Sequence, residues 1–125
     1  MPSPSPQPAA VVQRQLDAYN ARDLEALLAT YAEDAQHFDH PDQLLASGAA
    51  QLRERFMARF QDAKLHAKLL HRSVVGNVVA DHEEVTCTFP EGPGRLKLLA
   101  IYEVRQDRIA RAWFIRGART LDVGP

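Results

Sequence analysis

The segment His37-Phe38-Asp39-His40 is the densest group of chemically capable side chains in the sequence. On a strand, His37 and Asp39 share one face and Phe38 and His40 the other, because successive side chains alternate. A His–Asp pair two residues apart can act as a base with an orienting partner, or supply two ligands to a metal. It can equally be a solvated strand end before Pro41. No HExxH or other regular motif supplies a third and fourth ligand, so no metal site is predicted.

His66 and His71 are five residues apart on one long strand candidate, which puts them on opposite faces unless a bulge intervenes. His82 lies in Asp81-His82-Glu83-Glu84, where flanking carboxylates favour its charged form. One of these three histidines is expected to line a pocket. Cys87 reads as a buried strand cysteine, without the basic or helix-N-terminal setting that a nucleophile needs. Tyr102 and Trp113 are either core aromatics or the main contact surface of a pocket. Arg111 and Arg116 flank Trp113; facing outward they are surface charges, facing inward they indicate an anionic substrate. No GxGxxG or GxxxxGK[ST] occurs, so nucleotide-binding folds have no support.

The elements that must position these residues follow from periodicity. Val12, Leu16 and Tyr19 recur at helical spacing after Ala9. Asp23 is placed to cap a second helix, whose stripe is Leu24, Leu27, Leu28 and Tyr31. Residues 34–39 read as a short strand ended by Pro41, and residues 42–48 as a loop or a very short strand. A third helix starts at Ser47 or Gly48 and carries Leu52, Phe56 and Phe60. Four long strand candidates follow, over residues 65–75, 78–89, 96–105 and 109–118. Gly76-Asn77, residues 90–94 and Gln106-Asp107 separate them, each short enough for an antiparallel hairpin. Helices first and a meander later is an α+β pattern. Three helices against the concave face of a strongly curved, mostly antiparallel sheet make a cone with an apolar mouth.

The chain has 125 residues, one domain's worth, with 46% hydrophobic and 25% charged residues. Fifteen basic against 16 acidic residues give a net charge of -1, which removes the general electrostatic case for nucleic-acid binding. The single Cys87 excludes an internal disulfide, and no apolar run approaches a membrane span. No basic residue precedes Arg14 and no secretory leader is recognisable, so the expectation is a soluble, cytoplasmic protein. Residues 1–8 read as a proline-rich tail, residues 9–118 as a single domain and residues 119–125 as a C-terminal tail.

Tyr19-Asn20-Ala21-Arg22-Asp23-Leu24, then Tyr31-Ala32-Glu33-Asp34-Ala35 and Asp39-His40-Pro41, together with the closing run from Arg108 to Phe114, resemble the nuclear transport factor 2-like superfamily. Within it, the SnoaL-like and ketosteroid-isomerase-like proteins are most similar. The resemblance implies a cystatin-like α+β cone and places Asp39 at the position of the isomerase base, which moves a proton on a carbon beside a carbonyl. It also places Gln15 where the isomerases carry an oxyanion tyrosine, Ala100 near their protonated acid and Phe56 at a supporting tyrosine, so three of the four parts are replaced.

Two functions remain open on this basis. One is a cofactor-free isomerase or lyase acting on a small, largely apolar carbonyl compound, with Asp39 as base and His37 or Gln15 as polar partner. The other is a non-catalytic small-ligand binding or protein-interaction domain. For either, Gln15, Tyr19, Phe56, His66, His82, Ala100, Tyr102 and Trp113 are the candidate ligand-binding residues. Both faces of the third long strand are partly apolar, which predicts a homodimer through the outer face of the sheet.

Overall fold

A computed structural model describes residues 7–122. The expected N-terminal tail lies outside the described residues as far as residue 6, but Pro8 does not belong to it. Proline lacks an N–H that the first helical turn has no use for, and Pro8 opens α1 (Pro8–Ala21). Val11, Val12, Gln15, Leu16 and Ala18 form the buried face of α1. The helix ends where Arg22 takes a left-handed conformation, with φ 55°. Asp23 then caps α2 (Leu24–Ala29), its carboxylate accepting from the Ala26 amide at 3.1 Å.

The second helix stops before Tyr31, not after it. The Thr30 hydroxyl donates to the Leu27 carbonyl, and the Thr30 carbonyl accepts from the Ile109 amide, so the last strand takes over the chain. Tyr31 thus opens β1 (Tyr31–Asp39), longer at its start than its polar middle suggests. The following segment is a strand, β2 (Gln43–Ser47), paired antiparallel to β1. Gly48, at φ 86°, precedes α3 (Ala49–Arg59), which buries Leu52 and Phe56.

The meander is β3 (His66–Val75), β4 (Val78–Phe89), β5 (Gly92–Arg105) and β6 (Arg108–Leu121). The last two strands outrun their apolar patterns. β6 continues through Ala118 to Leu121 because β5 begins at Gly92 and pairs with it from Gly94 onward. A Cβ on Gly94 would run into the Thr120 carbonyl, so this close approach requires glycine. The six strands form one open sheet in the order β2-β1-β6-β5-β4-β3, with β1 parallel to β6 and every other pair antiparallel.

All three helices pack on one face of this α+β sheet. Val11, Val12, Leu27, Leu52, Val79 and Ile109 are fully buried between the layers. Truncating such a leucine to alanine costs about 2–5 kcal/mol. Asn20 ties α1 to β3 through both backbone groups of Ala67, at 2.8 and 2.9 Å. The outer sheet face carries Phe38, Leu44, Leu99, Ile101, Trp113 and Ile115 on neighbouring strands, all partly or fully exposed. No helix among the described residues is long and apolar enough to cross a membrane.

Candidate functional site

Alternation along β4 turns Val79, Asp81, Glu83, Val85 and Cys87 toward the helices and leaves His82 and Glu84 outside. Two acids therefore enter an otherwise apolar face. Asp81 is fully buried and neutralised: Arg72 on β3 grips it with Nε at 2.6 Å and Nη2 at 2.9 Å. The same guanidinium donates to Gln13 on α1. Glu83, only 3% exposed, has no hydrogen-bond or ion-pair partner among the described residues. Burial pushes its carboxyl up to about 7, the Asp81 carboxylate adds to the rise, and Arg72 opposes it.

Glu83 opens into a cavity of about 470 Å³ between α1, α3 and the inner face of the sheet. Gln15, Tyr31, His37 and Tyr102 form its buried end. Leu16, Phe56, Val85 and Leu98 supply apolar wall, and Phe89, Pro90, Gly117 and Arg119 lie at its exposed end. Burial raises the Tyr31 and Tyr102 hydroxyls above their ordinary value, and Glu83 acts on both in the same direction. Both tyrosines therefore remain hydrogen-bond donors at neutral pH. Three buried polar atoms beside them have no partner among the described residues: Gln15 Oε1, the Tyr31 hydroxyl and His37 Nε2.

His37 is held at 1% exposure by edge-on contacts with Tyr31, Phe56 and Phe114. Its Nδ1 accepts from Arg55 Nε at 3.2 Å. A guanidinium only donates, so the hydrogen of the neutral ring sits on Nε2. Burial and the Arg55 charge lower the His37 pKa to about 3. The imidazole is thus an uncharged donor.

The resemblance's central residue is placed differently. Asp39 shares the inner face with His37, as alternation requires, but stands at the end of β1. There it forms an ion pair with Arg116 on β6, and it does not line the cavity. Arg116 itself does, so of the two flanking arginines this one faces inward while Arg111 faces solvent.

Of the expected ligand-binding residues, Gln15, Tyr19, Phe56 and Tyr102 meet at the cavity and four others do not. His82 is exposed on the outer face. So is His66, and a bulge between Leu69 and His71 brings His71 out beside it, so that neither reaches the pocket. Ala100 is fully buried without lining the cavity. Trp113 points outward because its neighbours Ala112 and Phe114 point inward; it stacks on Phe38 at 5.9 Å. Glu83, Arg55 and Arg59 are the residues that histidine counting misses. Their signal is positional: Glu83 is in phase with Val79 and Val85, and Arg55 and Arg59 flank the Leu52–Phe56–Phe60 stripe. Cys87 lines the cavity as well, its thiol pushed up by burial and so kept unreactive.

A family model for the SnoaL-like domain matches residues 12–112. The chain belongs to this family. It therefore shares the nuclear transport factor 2-like fold, and solved structures agree. An uncharacterised cystatin-fold protein from Novosphingobium aromaticivorans superposes with a TM-score of 0.79 at 24% identity, over 88% of this chain and 98% of that one. A candidate SnoaL-like polyketide cyclase from Shewanella denitrificans gives 0.77 at 13% identity, over 90% and 91%. A hypothetical protein of ketosteroid-isomerase-like fold from Catenulispora acidiphila, in complex with trimethylamine, gives 0.74 at 15%, over 90% and 86%. At these identities the likeness establishes the fold alone. No curated protein matches the chain.

Proposed function

We propose that this SnoaL-like cone binds a small, largely apolar carbonyl compound and moves a proton on it, with Glu83 rather than Asp39 as the acid–base group. The observation that carries the reading is the unpaired Glu83 carboxyl, buried on an apolar cavity wall with a pKa near 7. A group balanced at the working pH takes and returns protons most effectively. As carboxylate, Glu83 takes the proton from a carbon beside the carbonyl, and the freed electron pair moves onto the carbonyl oxygen. Returning the proton to another carbon isomerises the compound; loss of a leaving group from the neighbouring carbon makes the reaction a lyase. The charge developing on oxygen needs donors in a dry setting, and His37 Nε2–H and the tyrosine hydroxyls are of that kind.

The reaction class is tested by deuterium incorporation beside the carbonyl of an apolar bicyclic ketone, 2-tetralone, in deuterium oxide. Acceleration over the spontaneous rate, lost in Glu83→Gln, supports it; no acceleration refutes it. A non-catalytic receptor is the second reading. It draws support from the Asp39–Arg116 ion pair and from Gln15, Ala100 and Phe56 standing at isomerase positions. It predicts ligand binding with no exchange.

A further inference from the structure

We propose that the ligand carries a carboxylate on its apolar body and seats that carboxylate on Arg55 and Arg59. The proposal rests on the cavity being a ligand site, as above, but not on Glu83 being its catalyst. Arg55 and Arg59 are four residues apart on α3, hence one above the other on one helix face, and both line the cavity. Like charges at this spacing repel. Several other arginines are paired with acids: Arg53 on the same helix with Glu25, Arg72 with Asp81 and Arg119 with Glu91.

Neither Arg55 nor Arg59 has a carboxylate partner among the described residues. Arg55 spends only Nε, on His37, and lies over the Phe114 ring with its two terminal nitrogens uncommitted. Arg59 makes two contacts to the Tyr19 hydroxyl, both long at 3.4 Å. Arg116 adds a third positive charge to the wall, itself paired with Asp39. Burial lowers the Arg55 pKa, the charges of Arg59 and Arg116 add to the fall, and Tyr19 and Asp39 oppose it.

A planar carboxylate fits a guanidinium fork with two parallel hydrogen bonds, and the half-buried setting of Arg55 strengthens them. Glu83 stands on β4 and the two arginines on α3, so the acid–base group and the anion seat come from different elements of the cavity wall. Leu16, Val85, Leu96 and Leu98 remain as wall for the apolar body.

The test is calorimetric titration of the full chain with 2-naphthoate and with 2-naphthamide, which share a shape and differ in charge. Naphthoate is expected to bind about tenfold tighter or more, as charge-assisted hydrogen bonds require. Arg55→Gln and Arg59→Gln should each remove most of that preference while leaving naphthamide affinity unchanged. Arg59 is open to solvent at the helix end, so its replacement leaves the core intact, and Arg59→Lys should restore part of the preference. Equal affinity of the two probes, no binding of naphthoate at millimolar concentration, or a preference surviving in both glutamine variants overturns the proposal. Glu83→Gln should keep the preference. Equal probe affinities alongside Glu83-dependent exchange would therefore remove the anion seat and leave the acid–base reading in place.

Discussion

Arg55 donates its Nε hydrogen to Nδ1 of His37 at 3.2 Å, across the gap between α3 and β1, and this contact assigns the proton of the ring to Nε2. Burial first, and the arginine's charge second, keep this histidine neutral, and its only donor is left without a partner inside an aromatic cage.

His37→Phe keeps the ring's bulk and removes that donor. Ketone exchange should fall roughly 100- to 1000-fold, the range for losing one oxyanion donor, with the circular dichroism spectrum unchanged. Because the folded pKa lies near 3 and the unfolded one near 6.5, the unfolded state binds the extra proton between them. His37 therefore costs the protein stability as pH falls from about 6.5 toward 3, and the phenylalanine variant should lose less stability over that interval.

Glu83 acts in the opposite sense. Its folded pKa near 7 exceeds the ordinary 4.5, so the folded state holds the proton more tightly and stability falls as pH rises from about 4.5 to 7. The full difference corresponds to about 3 kcal/mol at pH 8, as an upper figure. Glu83→Gln should accordingly raise the midpoint of thermal unfolding at pH 8 and change it little at pH 4.5. Equal effects at both pH values would count against the raised pKa.

Asp39→Asn separates the acid at the isomerase position from the acid in the cavity. With Asp39 tied to Arg116 and outside the cavity lining, exchange on 2-tetralone should stay within about threefold of the native rate, where losing a general base costs about 100-fold or more. A loss of that larger size would return the role to Asp39.

Much of the fold is written in local pattern. Asp23 as a cap is satisfied within a few residues, and the Val12–Leu16–Tyr19 stripe and the Gly76-Asn77 turn are marked by local spacing and residue type. The start of β1 is different, because Thr30 leaves the helix through a backbone bond to Ile109, some eighty residues away. The site follows the same division. His37 and Asp39 share a face as alternation demands, but only the ion pair with Arg116 decides that one is sequestered and the other lines the cavity. The bulge at Leu69–His71 turns His71 outward with no local signal. Glu83 is the most instructive case. Its phase with Val79 and Val85 marks it as inward, while its lack of a partner depends on Arg72 having been taken by Asp81.

The most direct measurement is deuterium incorporation into 2-tetralone by the native protein and by Glu83→Gln, across pH 5 to 9. Native exchange should rise with pH through a midpoint near 7, where the Glu83 carboxylate forms, and fall about 100-fold or more in the variant. Exchange that is indifferent to the substitution, or a native protein no faster than buffer at every pH, would contradict the assignment of Glu83 as the proton-transferring group.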